Sequence, residues 1–168
     1  MLSTFTPQFS EVTILTGEYD CTVDAKGRLA LPSGLLKQLP ENGRQKFVIS
    51  RSIFKKCLVL YPIAAWEKIV EDVNGLNRFN RKNDEFIRQY SNGATTVEVD
   101  GSNRVLLPKR LSQYASIEKD VVLAAHVDSK VEIWNEKAYN ELMSSFDPDA
   151  FGNLAEEVLG GNKPKTED

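Results

Sequence analysis

Two short stretches of the chain combine an aspartate, a turn and an arginine four positions after the aspartate. The first is VDAKGRLALP, residues 23–32, and the second is VDGSNRVLLP, residues 99–108. In such a stretch the aspartate can accept hydrogen bonds from the backbone of the turn, and the arginine can pair with it. An arginine held in this way can also donate two hydrogen bonds to the major-groove edge of guanine. The residues alone leave a structural ion pair and a DNA contact both open.

The side chains of these stretches that could contact DNA are basic. They are Lys26 and Arg28 in the first stretch and Arg104 in the second. A two-stranded ribbon is narrow enough to enter the major groove, where an arginine reads bases while a lysine at the turn meets a phosphate. The residues that would shape the turns are hydrogen-bond acceptors or tolerate a positive φ, and they are Asp24, Gly27, Asp100 and Asn103. Because asparagine follows glycine in that tolerance, both stretches can form the same turn.

Residues of the kind that carry catalysis are sparse. The single histidine, His126, lies in an apolar strand pattern, where a packed side chain is expected more often than a metal ligand. Cys21 and Cys57 are expected to be reduced and packed, because two thiols do not make a disulfide framework in a chain of this size. The sequence contains no phosphate-binding loop and no nucleophile elbow. We therefore expect no enzyme activity, no small-molecule substrate, no metal and no cofactor.

The net charge of −3 is distributed unevenly along the chain. Residues 17–56, around the first stretch, carry eight basic and four acidic side chains, whereas residues 93–134, around the second, carry five and six. Residues 135–168 carry three basic and eight acidic side chains. A basic segment can steer a polyanion to one surface, although a solvated face would give the same count. If the two stretches bind DNA, this difference predicts that Arg28 reads bases and that Arg104 mainly stabilises its own turn.

The two stretches belong to a longer internal repeat. Residues 17–35 align with residues 93–111 without a gap, and seven of the nineteen positions are identical. Farther along, the aromatic residues of the two copies align at an offset of 73 rather than 76. A fixed period of this kind indicates two copies of one supersecondary unit. Each copy is too small to bury a core alone, so we expect the two to fold together.

Each copy is predicted to contain a strand, a tight turn, a short returning strand, a proline that starts a short helix, and two further strands. Alternation and β-branched or aromatic residues predict strands at 18–23, 29–31, 46–50, 57–61, 121–125 and 130–134. Pro32 and Pro108 predict helices at 33–39 and 109–114. The sequence between and after the copies predicts helices at 63–73, 78–90 and 153–159, the first of them with an apolar stripe that packs on the sheet.

These elements divide the chain into four segments. We predict a first half at 17–73, a helical linker at 74–92, a second half at 93–146 and a partly flexible C-terminal tail at 147–168, whose end, GGNKPKTED, has the composition of a flexible segment. No apolar run approaches the roughly 20 residues that span a bilayer. Residues 1–16 have no basic or long apolar leader. We expect a cytoplasmic protein with no membrane partner.

Four motifs occur in a particular order, GEYDCTVDAKGRLALP, CLVLYPIAAWEKI, VEVDGSNRVLLP and VEIWNEKAYNEL, over about residues 17–142. In this order they resemble the MraZ family of bacterial transcriptional regulators. The resemblance implies two AbrB-like swapped-hairpin halves, each with an Asp-x-x-x-Arg signature, that form a pseudo-dimer within one chain. The fold class that it implies is mixed α/β, mainly β, with short peripheral helices.

The same resemblance implies a function. Relatives of this kind are cytoplasmic and nucleoid-associated, need no cofactor, and bind double-stranded DNA at short direct repeats upstream of the division and cell-wall gene cluster. They assemble into a ring-shaped homo-oligomer and often repress that cluster. The signatures match at Asp24 with Arg28 and at Asp100 with Arg104. Arg51 lies where relatives often keep an arginine, and the resemblance makes it a further DNA-contact candidate.

Three features depart from the family pattern. The helix after the first proline offers only Lys37 as a basic residue, the second turn has Asn103 in place of the customary glycine, and residues 1–16 extend the usual start. These departures concern the strength of DNA binding rather than the fold. Two other classes of protein stay open, namely an antitoxin-like module that binds a partner protein and a structural ring protein. Sequence-dependent binding to its own upstream DNA distinguishes a regulator from both.

Overall fold

The structure, a computed structural model, describes residues 13–160, which contain eight strands and six α-helices. The strands are β1 (Glu18–Thr22), β2 (Arg28–Ala30), β3 (Lys46–Arg51), β4 (Leu58–Pro62), β5 (Thr95–Glu98), β6 (Arg104–Leu106), β7 (Asp120–His126) and β8 (Lys130–Asn135). The helices are α1 (Ser33–Leu36), α2 (Ile63–Asn74), α3 (Arg81–Ser91), α4 (Lys109–Tyr114), α5 (Glu136–Ser144) and α6 (Pro148–Gly160).

The chain forms two compact units. The first extends to Glu136 and contains all of the strands named above, together with α1 to α4. The second begins at Lys137 and contains most of α5 and all of α6. None of the helices between residues 13 and 160 combines the length and the apolar composition that a bilayer crossing requires.

The strands form one six-stranded sheet, in the order β1-β7-β8-β4-β3-β5, and one two-stranded ribbon, β2-β6. Every pair is antiparallel. Strands are exchanged between the repeats, since β1 of the first copy pairs with β7 of the second and β5 of the second pairs with β3 of the first. The fold is therefore the mixed, mainly β class expected from the sequence, built from two halves.

The register shows an internal pseudo-twofold symmetry. Leu29 pairs with Val105 in the ribbon, and these residues occupy equivalent positions at the offset of 76. Val59 pairs with Glu132 in the sheet, and these are equivalent at the offset of 73. A residue that pairs with its own equivalent lies at a twofold axis. The axis between the halves therefore passes through the centre of the ribbon and the centre of the sheet.

The sequence predicts a hairpin at residues 18–31, but in the structure only its turn and one adjoining bridge are formed. The amide of Asp24 donates to the carbonyl of Arg28 at 2.9 Å, and a single bridge joins Val23 to Leu29. Beyond that bridge the two strands separate, and the amide of Val23 already donates to Lys119 at 2.8 Å. The strands part because each finds its ladder partner in the other copy, which an alternating pattern does not specify.

The main core lies between one face of the six-stranded sheet and a layer made of the ribbon, α1 and α4. Its largest fully buried side chains include Leu29, Leu35, Phe47, Ile49, Leu58, Leu60, Leu123 and Ile133. Because side chains alternate along a strand, β3 and β4 direct a second set of residues to the opposite face. There Val48, Val59 and Tyr61 pack with Ile63, Trp66 and Ile69 at or within α2, as the apolar stripe predicted.

Several helix boundaries differ from the sequence prediction. Helix α3 begins at Arg81 rather than at 78, because Asn80 caps it by accepting from the amide of Lys82 at 2.9 Å. Helix α6 begins at Pro148 rather than at 153, because the Asp147 carboxylate accepts from the amide of Asp149 at 3.1 Å and proline suits the first helical position. The sequence DPD carried this start signal.

Two further differences concern α1 and α5. Helix α1 ends at Leu36 rather than at 39, and residues up to Leu39 continue in tighter turns before Pro40 stops the helix. Helix α5 has no counterpart among the predicted helices. The alignment of Trp66 with Tyr139, which pairs α5 with α2, was the signal that indicated it. The predicted flexible end of the tail lies almost wholly outside the described residues.

Candidate nucleic-acid interface

The ribbon β2-β6 presents one buried face and one exposed face. Leu29 and Val105 pair at its centre and are fully buried. On either side of them, Arg28 pairs with Leu106 and Ala30 pairs with Arg104. Because side chains alternate along a strand, these four residues lie on the opposite, outward face. The two signature arginines therefore share one exposed face of one two-stranded ribbon.

The first turn is organised by the carboxylate of Asp24. Its Oδ1 atom accepts from the amides of Lys26 at 2.9 Å and Arg28 at 3.0 Å. Its Oδ2 atom accepts from Arg28 Nε at 2.8 Å. Gly27 has φ +82°, and its amide donates to the carbonyl of Asp24 at 3.0 Å. The turn conformation and the arginine orientation thus depend on one side chain.

The second turn has the same arrangement with different residues. Asp100 Oδ1 accepts from the amides of Ser102 and Arg104, both at 2.9 Å, and Oδ2 accepts from Arg104 Nε at 3.1 Å. Asn103 takes the place of the glycine at φ +59°. The left-handed conformation is therefore preserved, since asparagine adopts it at a lower cost than most residues.

The fold brings the two signatures together. Arg104 Nη1 lies 3.7 Å from Oδ2 of Asp24, which belongs to the other repeat of the same chain. Arg104 also pairs with Asp100 of its own repeat. The side chains of Arg28 and Arg104 are 33% and 32% exposed, so neither arginine is the more accessible. With Asp24 and Asp100 they form an ion cluster across the pseudo-twofold axis. The signatures predict that both arginines lie at turns, but they do not predict that the two turns meet.

Both aspartates of this cluster have a pKa below the usual value of 3.8. For Asp24 the main cause is the hydrogen bond from the backbone amide of Arg28, and for Asp100 it is the hydrogen bond from the backbone amide of Arg104. Partial desolvation opposes this effect in both. Both carboxylates are therefore charged at neutral pH and can accept all of the hydrogen bonds described for the two turns.

We expect these turns to weaken in acid. A carboxyl group whose pKa is lowered on folding stabilises the fold above its unfolded pKa, and that contribution disappears as the pH falls through the lowered value. The wild type should therefore be more stable than the Asp24→Asn/Asp100→Asn variant near neutral pH, and the difference should shrink as the pH falls below 3.8. Urea unfolding across this pH range measures it. A difference that does not change with pH would contradict the assignment.

Arg51 lies in a different region of the fold. Its guanidinium carbon is 5.4 Å from the centre of the Tyr114 ring, and Nη2 donates to the carbonyl of Asn92 at 3.2 Å. It borders an open cleft of about 380 Å³, whose other lining residues are Ser50, Ser52, Ile53, Phe86, Gln89, Tyr90, Asn92 and Tyr114. The structure thus groups Lys26, Arg28 and Arg104 on the ribbon and places Arg51 at this cleft.

A cysteine, a histidine and a glutamate meet on the six-stranded sheet. Glu132 accepts from Trp134 Nε1 at 3.1 Å, lies 2.9 Å from His126 Nε2, and lies 3.7 Å from the thiol of Cys57. Burial, and next the charge of Glu132, raise the pKa of the Cys57 thiol to about 12. Burial likewise raises the pKa of Cys21 to about 11. Both thiols are therefore protonated at neutral pH, and Cys57 in this cluster is not held as a reactive thiolate.

Between residues 13 and 160, no three side chains among histidine, cysteine, aspartate and glutamate are grouped so that they could hold a metal ion. The ion cluster on the ribbon offers hydrogen-bond donors that two carboxylates hold in fixed positions on an exposed face.

Comparison with known proteins gives consistent matches over most of the chain. A family model described as "MraZ protein, putative antitoxin-like" matches twice, at residues 14–89 and 91–160. A protein of Christiangramia forsetii named "Transcriptional regulator MraZ" is 47% identical over 148 residues, which cover 88% of this chain and 94% of the relative. Proteins with the same name from Flavobacterium psychrophilum and Cytophaga hutchinsonii are 42% and 38% identical, over 87% and 88% of this chain and 92% and 96% of those relatives. The double match of the family model coincides with the internal repeat.

Proposed function

The chain belongs to the MraZ family, and from that premise we propose that it is a transcriptional regulator that binds double-stranded DNA in a sequence-dependent way. One observation carries the proposal. Two signature arginines, 76 positions apart in sequence, lie together on the exposed face of a single two-stranded ribbon. The major groove of B-DNA, about 12 Å wide, admits such a ribbon.

The geometry suits base recognition because the arginines are held in place before binding. Asp24 and Asp100 each accept a hydrogen bond from Nε of their arginine, which orients the guanidinium, and Arg104 Nη1 also lies 3.7 Å from Asp24 Oδ2. A guanidinium fork of this kind can donate to O6 and N7 of guanine. Fixing the side chain in advance lowers the entropy that binding would otherwise cost. Lys26, exposed at the tip of the first turn, is placed to meet a phosphate.

We further propose that Arg28 is the main base-reading residue. Arg104 lies near two carboxylates, Asp100 at 3.1 Å and Asp24 at 3.7 Å, so its charge is more fully compensated. Among the ion pairs of the described residues, Arg28 has one partner, Asp24. The basic segment at residues 17–56 also surrounds Arg28 rather than Arg104. A DNA contact by Arg51 stays a separate prediction, because that residue lies at the cleft and not on the ribbon.

The family resemblance extends the proposal to the operator and the assembly. We propose that the protein acts at the nucleoid in the cytoplasm, on short direct repeats upstream of the division and cell-wall gene cluster. We propose also that it acts as a ring-shaped homo-oligomer. A ring presents several ribbons to consecutive repeats, and linked sites can raise overall affinity by about 10² to 10⁴. The modest positive charge of the segment at residues 17–56 would then be sufficient.

The proposal is tested by fluorescence anisotropy with DNA taken from upstream of the protein's own gene and with a scrambled control. We expect tighter binding to the native sequence and a linear fall of log affinity with log salt concentration, because released counterions drive association. Lys26→Ala should lower the salt slope by roughly 1 per engaged ribbon if this lysine meets a phosphate. Equal binding of both sequences, or no salt dependence, would favour a partner-binding module or a structural ring protein.

A further inference from the structure

The open cleft beside Arg51 combines one positive charge with apolar walls. Its volume of about 380 Å³ falls within the range of sites that bind small molecules. Arg51 is the charged member of its lining, and the remaining lining residues are serine, asparagine and glutamine together with Ile53, Phe86, Tyr90 and Tyr114. Sites for small molecules usually have this composition, in which aromatic and apolar side chains surround a few polar groups that fix the orientation of the ligand.

The charge of Arg51 is not compensated by a neighbouring carboxylate. Among residues 13–160, no aspartate or glutamate forms an ion pair with it. Its contacts are neutral, since Nη2 donates to the carbonyl of Asn92 at 3.2 Å and the guanidinium carbon lies 5.4 Å from the centre of the Tyr114 ring. These contacts hold the side chain in place without neutralising it. A guanidinium has five N–H donors, so this one hydrogen bond leaves donors for a bound anion.

The internal repeat indicates that the fold does not require an arginine at this position. Strands β1 and β5 are equivalent at the offset of 76, and they pair with β7 and β3. Carried across these registers, the position of Arg51 in β3 corresponds to that of Ala125 in β7. Tyr114 corresponds to Gln38 at the offset of 76. The opposite edge of the sheet therefore forms the same strand pairing without the arginine and the tyrosine, which leaves this pair available for another role.

Helix α3 supplies aromatic side chains to the cleft. The ring of Phe86 stacks on Tyr90 at 5.6 Å between centroids, and Tyr90 stacks on Trp66 at 5.8 Å. Trp66 in turn contacts Tyr61 of β4 at 5.4 Å, so these rings tie α3 to the sheet. Phe86 is 41% exposed and Ile53 is 57% exposed. A flat ring bound in the cleft would cover apolar surface that now faces water.

Positive charge also predominates in the loop that carries Ile53. Lys55 and Lys56 are exposed in this loop between β3 and β4, and residues 52–57 include no acidic side chain. On α3, Glu85 accepts from the side-chain amide of Gln89 at 2.6 Å and is not a lining residue. Charges of one sign beside a cleft raise the local concentration of ligands of the opposite sign. The cleft and its loop therefore favour an anion.

We propose that this cleft binds a small aromatic anion, a molecule that joins a flat ring to a carboxylate or phosphate group. The anionic group pairs with the guanidinium of Arg51, whose planar fork matches two oxygen atoms. The ring lies against Phe86 and Tyr90, where it gains aromatic contacts and leaves water. This site is separate from the ribbon and does not rest on DNA binding. The assignment competes with the DNA contact that the family resemblance predicts for Arg51.

The test uses the full chain and four probes, titrated by isothermal calorimetry in a buffer free of phosphate. Phenyl phosphate and benzoate each join a ring to an anionic group, whereas inorganic phosphate and phenol each supply one part alone. The better of the two joined probes should bind about 2- to 10-fold more tightly than inorganic phosphate, because of the ring. It should bind about 10- to 100-fold more tightly than phenol, because of the charged hydrogen bonds. Which joined probe binds better shows whether the site prefers phosphate or carboxylate.

Variants then locate the binding. Arg51→Gln should weaken the better probe by about 10- to 100-fold, and Arg51→Lys, which keeps the charge but loses the planar fork, should give an intermediate affinity. Arg88→Gln is the matched control, because it removes the same charge from α3 at a residue that pairs with Asp84 and does not line the cleft. Phe86→Ala should weaken the probe by about 2- to 10-fold. Phe86 is exposed, so this variant keeps the test decisive even if a thermal melt shows that Arg51→Gln does not fold.

Three results would overturn the inference. They are no binding of either joined probe to the wild type, joined probes that bind no better than inorganic phosphate, and equal probe affinity for folded Arg51→Gln and Arg88→Gln. A loss of binding to the upstream DNA in Arg51→Gln, with probe affinity unchanged, would assign this arginine to DNA instead. Phe86→Ala should bind the upstream DNA like the wild type, so the DNA and probe titrations report on the two sites separately.

Discussion

Arg28→Ala is expected to weaken specific DNA binding by about 1–3 kcal/mol per engaged ribbon, which corresponds to roughly 5- to 150-fold in affinity. The reason is the loss of one bidentate base contact from a guanidinium that Asp24 holds in position. The expected effect on folding is small, because Arg28 is one-third exposed and exposed ion pairs contribute little to stability. Anisotropy on native and scrambled DNA measures the first effect, and a thermal melt measures the second.

Arg104→Ala is the matched comparison for this prediction. It removes the same side chain from the equivalent position, with equal exposure, but it also removes a contact to two aspartates. We therefore expect a larger loss in melting temperature and a smaller loss in affinity than for Arg28→Ala. If Arg104→Ala abolishes binding in a protein that melts like the wild type, both arginines read DNA and the division between them is wrong.

Leu29→Ala is expected to destabilise the fold by about 2–5 kcal/mol, the range for truncation of a fully buried leucine. Leu29 is completely buried at the pseudo-twofold axis, where it pairs with Val105 and joins the core beneath the ribbon. Removing its side chain leaves a cavity in the core that the two halves share. The free energy of unfolding from urea titration measures the loss, and an unchanged slope shows that the folded state is still compact.

Leu106→Ala is the control for Leu29→Ala. Leu106 lies on the same ribbon but on its outer face, where it is 58% exposed. Its truncation should change stability by no more than about 0.5 kcal/mol, as at most surface positions. Equal losses for the two leucines would contradict the orientation of the ribbon. That result would also remove the arginines from the exposed face, because they share it with Leu106.

Much of the local structure could be predicted from the sequence. Strand and helix signals are local, and the predicted strands at 46–50 and 130–134 became β3 and β8 with one extra residue each. The turns at Asp24 and Asp100 followed from the need for an acceptor and a positive φ, both of which depend on neighbouring residues. Helix starts were less accurate where a capping residue was overlooked, as at Asn80 and Asp147.

The candidate site could be predicted only in part. The residue types and spacing of the signatures indicated Arg28, Arg104 and Lys26, and the resemblance added Arg51. The meeting of Arg104 with Asp24 was not predictable from either signature alone, because their contact depends on the register of β2 against β6. The cleft beside Arg51 likewise combines residues from β3, α3 and α4.

The sequence by itself determined the repeat, the alternation of buried and exposed positions, and the conformation of each turn, because these depend on residues close together in the chain. Only the tertiary structure decided which strand pairs with which. Hydrogen bonds between backbones are nearly independent of side-chain identity, so an alternating strand specifies a face but not a partner. The exchange of strands between the halves therefore emerged from packing two small repeats around one core. That exchange places the two arginines on a single ribbon.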